Sequence, residues 1–303
     1  PSLYGTTAFD APVAARGLEG SRHNDLVAKT HVVKGKKVSL KDIDTHEDGG
    51  LDKAEGEDRV EKLLPELFDL QELMYAAGNH SLLIVLQGMD TSGKEGAIGC
   101  ISKGVNAHGI QVSPFKVPTE IEISHDFLWR IHAQAPQKGM IGIFNRSHYE
   151  DVVVVRVHKV VNDEEWKSRY EHIRNFEKLL VDSNTIILKF FLHISKEEQE
   201  ERLLAREKDP RKAWKLSAGD WKERQLWDDY MKAYEDALGE TSMATAPWHI
   251  VPADRKWYRN LLVTQTVVET LRGYQEDWTT QLEAMGKKAK KEIDAFRKGN
   301  SKG

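Results

Sequence analysis

"LLIVLQGMDTSGKEG", residues 82–96, decides how the rest of the chain is read. Leu82 to Leu86 is a continuous apolar run, the pattern of a strand buried on both faces. It is followed by Gly88-Met-Asp-Thr-Ser-Gly93-Lys94, which matches the G-x-x-x-x-G-K pattern of a phosphate-binding loop. Glycines let successive backbone N–H groups turn inward on phosphate oxygens. The following helix N-terminus adds positive potential, and the lysine reaches the terminal phosphates. The string alone also fits an ordinary Gly-rich turn. Its place between a buried strand and the helical stretch "KEGAIGCISKGVNAHG" is what phosphate binding requires. Gly88, Met89, Thr91, Ser92, Gly93 and Lys94 are the expected cradle.

Position 95 departs from the usual loop, in which a hydroxyl after the lysine goes to Mg²⁺; here it is Glu95, followed by Gly96. Asp90 is the other candidate for the metal. A carboxylate inside an anion-binding loop repels phosphate unless a cation intervenes, which argues for metal bridging through Asp90. The alternative is Asp90 as a turn former that caps its own loop.

Working outward, residues 1–57 are rich in Gly, Asp, Lys and Thr and read as an arm on the main body. From Asp58 the spacing of Val60, Leu63, Leu64, Leu67, Leu70 and Leu73 predicts a helix ended by Gly78-Asn79, with Pro65 tolerated near its first turns. Strands are then expected at "LLIVL", "IQVSPFKV", "GMIGIFN", "TIILKFFLHI" and "WHIVPA". Helices are expected between them: one over "TEIEISHDFLWRIHAQAP" with a Thr119–Glu122 capping box, a long one over "DEEWKSRYEHIRNFEKLLVDSN", one capped by Ser195, and a last one from about Lys256 to Leu282. Alternation of this kind implies βαβ units and a parallel sheet covered on both faces. The expected fold is α/β: a three-layer αβα sandwich with a five-stranded parallel sheet, an N-terminal extension (1–57), a main domain (58–282) and a basic tail (283–303) that frays.

The 303 residues are 40% hydrophobic and 30% charged, with a formal net charge of -4, so no global pull toward nucleic acid or anionic membrane exists and any polyanion site must be a local basic patch. The single cysteine, Cys100, excludes an intramolecular disulfide framework and fits a reducing compartment. No apolar run approaches the roughly 20 residues of a membrane span, and the first residues do not read as a secretory signal. The expectation is a cytoplasmic protein with no membrane or nucleic-acid partner.

After the third strand comes "GIFNRSHYEDVVVVRVH". Asn145, Arg146, His148, Tyr149, Glu150 and Asp151 crowd the carboxyl end of a parallel strand, where open α/β sheets place their ligands. Arg146 can clamp a transferring phosphoryl group, and Glu150 or Asp151 can hold metal or orient an acceptor; a plain polar helix start is the bland alternative.

Taken together, "LQGMDTSGKEG", "FKVPT", "HDFLWRIHAQAPQKGMIGIFNRSHYEDV", "FEKLLVDSNTIILKFFLHISKEEQEERL", "WKLSAGDW" and "APWHIVPADRKWYR" resemble the polyphosphate kinase 2 family over roughly residues 58–275. That resemblance implies a P-loop kinase-like fold and phosphoryl transfer between inorganic polyphosphate and nucleotides. It implies essential roles for Asp90 and Lys94, with Arg146 and Glu150 as the catalytic pair of the second motif. The "NRSxYE" form resembles branches that accept nucleoside monophosphates, some of which also take diphosphates. Asn145, Arg146, Tyr149 and Glu150 are then the nucleotide-binding candidates. Another branch has Asp where this chain has Asn145, so no second carboxylate ligand is expected there. Mg²⁺ on Asp90, with Mn²⁺ as the alternative ion, and a homodimer or homotetramer also follow from the resemblance.

"EERLLAREKDPRKAWKLSAGDWKERQLW" is dense in cations interleaved with acids. Its bland reading is a salt-bridged, solvated surface; its functional reading is a mobile lid, about residues 199–224, closing over phosphates. Polyphosphate carries about one negative charge per unit, so an enzyme that uses it needs a cationic channel. Lys94, Lys103, Lys116, Arg206, Arg211 and Lys212 are the candidates. His125, His132, His148 and His158 lack any zinc-type spacing, and the tryptophans read mostly as core. A conventional ATP-dependent small-molecule kinase and a non-catalytic nucleotide-binding module are the competing readings.

Overall fold

The computed structural model describes residues 29–300, except the side chains of residues 212, 299 and 300. Residues 1–28 of the expected arm lie outside the described residues. In chain order the main elements are β1 (His31–Val32), α1 (Lys53–Ala77), β2 (Ser81–Gln87), α2 (Lys94–Ile101), β3 (Ile110–Pro114), α3 (Glu120–Ile123), α4 (Trp129–His132) and β4 (Ile141–Asn145). They continue with α5 (Glu150–Val157), α6 (Asp163–Asp182), β5 (Thr185–His193), α7 (Lys196–Lys208), α8 (Ala218–Gln225), α9 (Trp227–Thr241), β6 (Trp248–Pro252), α10 (Lys256–Arg272) and α11 (Gln275–Asn300).

The five expected strands form one parallel sheet, and a sixth, two-residue strand from the N-terminal segment joins it antiparallel on β6, giving the order β1-β6-β5-β2-β4-β3. β2 is flanked in register by β5 (Ile84 against Leu188) and by β4 (Ile84 against Ile143). Every residue of β2 and β5 is buried, as their unbroken apolar runs require of strands covered on both faces. The chain goes out from β2 to the β3 edge, returns to β4, and then crosses to β5 on the other side of β2. That reversal opens a crevice beyond the carboxyl ends of β2, β4 and β5. One helical group packs α1 with α10, α2 and α11; the other packs α5 with α6 and α9.

Helix boundaries depart from expectation in instructive ways. α1 starts at Lys53, where Asp52 and Glu55 form a capping box, so Pro65 lies mid-helix and removes one backbone bond. The expected helix after Thr119 keeps its capping box but breaks into α3 and α4. There Ser124 Oγ donates to the Ile121 carbonyl and Asp126 accepts from Leu128 N–H, local bonds that compete with the helical ladder. The last expected helix is two, α10 and α11, and α11 runs on through the basic tail to Asn300.

A fully buried Lys–Glu ion pair lies in the core. Lys189 Nζ on β5 lies 2.6 Å from Glu177 Oε2 on α6, with both side chains fully buried, and also donates to the Thr241 carbonyl at 2.8 Å. Lys189→Met leaves Glu177 charged without its main partner, a change that costs about 3–5 kcal/mol. The urea midpoint should fall accordingly, and adding Glu177→Leu should recover only part of the loss, because Tyr149 OH and His148 Nε2 then lose the acceptor they share.

His249 on β6 is nine-tenths buried, and burial pushes its imidazole pKa down to about 4. The folded chain therefore binds this proton less tightly than the unfolded chain. Stability present above the unfolded value near 6.5 is lost as pH falls toward 4. Relative to His249→Asn, the native chain should lose about 3 kcal/mol more between about pH 7.5 and pH 4, measured by urea unfolding.

Candidate active site

The stretch after β2 turns back sharply. Gly88 sits at φ +144° and Gly93 at φ +101°, with Thr91 at +66° between them. A Cβ on Gly93 would lie 1.9 Å from Arg259 Nη1, so both the backbone angle and the space demand glycine. Lys94 opens α2 and is nearly buried. Its ammonium folds back over the loop, donating to the carbonyls of Gly88 at 2.7 Å and Met89 at 3.2 Å. Burial lowers the Lys94 pKa, an effect opposed chiefly by Asp90.

β4 ends beside this loop, and Arg146 follows it at φ +64°, with its N–H bonded to the Leu86 carbonyl at 3.2 Å. Its guanidinium reaches Asp90 Oδ1 at 2.8 Å and Glu150 Oε2 at 3.6 Å. Burial acts against this charge, but Glu150 and Asp90 outweigh it and hold Arg146 above its usual value. Glu150, at the start of α5, is pushed up by burial and pulled back by Arg146 and Lys94.

α7 and α8 supply the other wall. Arg202 is buried and donates to the carbonyls of Thr91 at 2.8 Å, Ala253 at 2.7 Å and Asp254 at 2.8 Å, tying the loop to the end of β6. Gln199 donates to the Asp90 carbonyl at 3.1 Å. Arg206, one turn further along, pairs with Asp220 on α8 at 3.1 Å. Glu95, which replaces the usual hydroxyl, ion-pairs with Lys215 just before α8. The anomalous position thus joins the loop to the segment expected to act as a lid.

Two cavities meet here. The larger, about 520 Å³, runs along the loop and α2 and carries seven cationic side chains against three carboxylates, with Lys94, Arg202, Arg206, Lys215, Lys256 and Arg259 among the cations. The smaller, about 220 Å³, lies between α5, α8 and α9 and carries four carboxylates, Asp90, Glu150, Asp220 and Glu223. Asp90, Arg146 and Asp220 line both. Burial, then the Asp90 charge, raises Asp220. Arg259, buried behind Gly93, is lowered to about 10 by burial and by Arg202.

The structure gathers Asp90, Lys94, Arg146, Glu150, Thr91, Gly93, Arg206 and Asn145 around the basic and acidic cavities, with Gly88 and Met89 on the acidic one. Ser92 is in the loop but fully buried, lining neither. Tyr149 turns the other way: its hydroxyl donates to Glu177 at 2.7 Å beneath the sheet, and it is 1% exposed. Lys103 and Lys116 are exposed and line neither cavity. Arg211 is exposed and bonded to Asp209, also off both walls, and the Lys212 side chain lies outside the described residues. Sequence reasoning missed Glu223, Asp220, Tyr230 and Arg259. The interleaved acids of the lid stretch were the visible signal for Asp220 and Glu223, Arg259 lies in the quoted "APWHIVPADRKWYR", and Tyr230 carried no signal.

Among the described residues, no three His, Cys, Asp or Glu side chains group closely enough to cage a metal ion. Mg²⁺ needs no such cage: it takes one or two carboxylates and completes its shell with phosphate oxygens and water. Asp90 and Glu150, both bonded to Arg146 on one wall, fit that demand.

A parallel sheet with a phosphate loop at its switch point, a cationic cavity and an adjoining acidic slot defines a P-loop phosphoryl-transfer protein. A sequence model of polyphosphate kinase 2 (PPK2) matches residues 50–278. The chain is 55% identical over 204 residues to an AMP/ADP-polyphosphate phosphotransferase of Meiothermus ruber, covering 67% of this chain and 76% of that one. It is 48% identical to an ADP-polyphosphate phosphotransferase of Rhodopseudomonas palustris, covering 68% and 75%. The crystal structure of a polyphosphate kinase 2 from Arthrobacter aurescens TC1 superposes with a TM-score of 0.77 at 42% identity, covering 82% of this chain and 93% of that one. The chain belongs to the polyphosphate kinase 2 family. No helix among the described residues is long and apolar enough to cross a membrane.

Arg202 should behave as a brace. Arg202→Ala removes bonds to three carbonyls and to the Glu198 carboxylate, and should cost about 2–4 kcal/mol in unfolding free energy. Arg202→Lys, which keeps the charge but loses the fork, should recover less than half of that in the same denaturant titration.

Proposed function

We propose that this chain transfers a phosphoryl group reversibly between inorganic polyphosphate and a nucleoside mono- or diphosphate of the AMP/ADP type. The observation that carries the reading is the junction at Asp90, Arg146 and Asp220, where a cationic cavity suited to condensed phosphates meets a slot suited to a nucleotide. Family membership and the names of the relatives above support the same reading. The polymer lies along the basic cavity, with its terminal phosphate on the loop N–H groups and the acceptor phosphate entering from the slot.

The geometry supports the following roles. Lys94 leaves the Gly88 and Met89 carbonyls, an exposed phosphate oxygen being a stronger partner for an ammonium than a neutral carbonyl. Arg146 orients the acceptor phosphate and spreads its charge over the oxygens of the transferring group. Asp90, with Glu150, would hold Mg²⁺, and Mn²⁺ in its place, to neutralise phosphate charge as the donor bond breaks. An acceptor phosphate oxygen is already anionic at neutral pH, so the site needs no strong general base. Arg206 and Lys215 on the lid segment, about residues 199–224, add charge over the polymer. Asn145 borders the phosphates from the end of β4. The same proposal takes a homodimer or homotetramer as the assembly and the cytoplasm as the compartment.

The test is nucleotide product formed from AMP, ADP, GMP and GDP, each with polyphosphate and Mg²⁺ and without ATP. Asp90→Ala and Lys94→Ala, each checked for native circular dichroism, should lose on the order of 10³-fold or more in rate. Chelation of divalent ions should abolish turnover in the native chain. A conventional ATP-dependent kinase shows no product here, and an appreciable rate in either folded variant sinks the assigned roles.

A further inference from the structure

The acidic slot has a far end that phosphoryl transfer does not use. Glu150, Val154 and His158 recur at four-residue spacing, so they share one face of α5 and its cap and line the slot together. From Glu150 to His158 the helix rises about 12 Å. That length matches a nucleotide from its phosphate to the far edge of its base. The phosphate end is Asp90, Arg146 and Glu150. The other end closes on a set of three groups from three elements: His158, Glu223 on α8 and Tyr230 on α9.

These three are mutually bonded. Tyr230 OH donates to Glu223 Oε2 at 2.6 Å, and His158 Nε2 lies 2.9 Å from that same oxygen and 3.2 Å from the phenol. Both bonds to Glu223 end on Oε2, which leaves the lone pairs of Oε1 for a ligand donor. A carboxylate held in this way accepts only, so it recognises N–H groups. Tyr230 and Tyr234, one turn apart on α9, add ring surface to the same slot. Burial, together with Glu223, raises the Tyr230 phenol, which keeps it a donor that fixes Glu223 in place.

We propose that Glu223 is a specificity residue that reads the exocyclic amine of a purine base at the outer end of the slot. This rests on the phosphotransferase reading and extends it to the base. It also predicts that recognition is carried by the lid segment, because Glu223 and Asp220 are one turn apart on α8.

The experiment deletes the contact from both sides. The rate constant kcat/KM is measured with polyphosphate and Mg²⁺ for AMP and ADP, and for the corresponding purine riboside phosphates, which lack the amine and any ring N–H. The native chain should favour the amino compounds about 10- to 100-fold, the value of a hydrogen bond to a charged acceptor. In Glu223→Ala that ratio should collapse to within about two-fold of one. In Glu223→Gln it should take an intermediate value. A merely structural Glu223 would lower all four rates alike and leave the ratio unchanged, and that result overturns the proposal. A native chain that fails to discriminate also overturns it. Absence of turnover with every nucleotide would instead overturn the phosphotransferase reading on which the proposal stands.

Discussion

A carboxylate placed inside a cradle made for anions is the constraint on which the site is built. Asp90 lies at the centre of a loop whose N–H groups and following helix attract negative charge from a ligand, and its own charge opposes that ligand. The chain meets this conflict with Arg146, held 2.8 Å away by a backbone in the left-handed region. Glu150 shares the same guanidinium. The result is a cluster whose charges nearly balance without a ligand. In the proposed reaction a phosphate and its counter-cation would exchange partners with it: phosphate oxygens for Arg146 and Lys94, the cation for the acids. An arginine replaced by an apolar residue would leave two acids facing each other, and the loop would lose its reason to stay closed.

Arg202 gives this cluster its mechanical support. It is among the few charged side chains near the site that are almost fully buried, and its bonds go to carbonyls on the loop and at the end of β6 and to the Glu198 carboxylate on its own helix, 2.6 Å away. Asp254, whose carbonyl takes one of those bonds, also accepts from Thr45 Oγ1 at 2.6 Å and from Ser195 N–H at 2.9 Å. The segment before α1 and the start of α7 therefore converge on Asp254 at the end of β6, which Arg202 holds through its carbonyl. A cation that spreads its donors over three carbonyls and a carboxylate fixes geometry, while Arg206, one turn away and paired with a single acid, keeps donors for a ligand. Position along the same helix separates the two tasks.

Much of this was legible in the chain. The five parallel strands announce themselves because strands buried on both faces are unbroken apolar runs, and the phosphate loop because its glycines obey a backbone requirement that spacing records. β1 was not legible, since two residues carry no periodicity and its partner lies far along the chain. The valines of "EDVVVVRV" favour a strand by propensity, yet packing against α6 and α9 makes them helical. Tyr149 shows how adjacency misleads: it stands next to Glu150, but a step of about 100° around a helix turns it into the core while its neighbour faces the slot. Lys103, Lys116 and Arg211 carry the expected charge but line neither cavity, and charge in a sequence has no direction. Glu223 and His158 are 65 positions apart and meet only once α8 folds over α5.

The separation of charge between the two cavities has a consequence for order. A polyanion is drawn to the basic cavity from a distance, whereas an acidic slot repels a free nucleotide until a cation or an arginine masks its phosphates. α8 borders both: Asp220 is paired with Arg206 at the junction, and Glu223 stands one turn on at the slot's outer end. In the proposed reaction, occupation of the basic cavity draws Arg206 toward phosphate and loosens its hold on Asp220. The same helix is then free to settle on the nucleotide. Closure over the acceptor is thereby tied to the presence of the donor in the proposed reaction, and it excludes water only once both are in place.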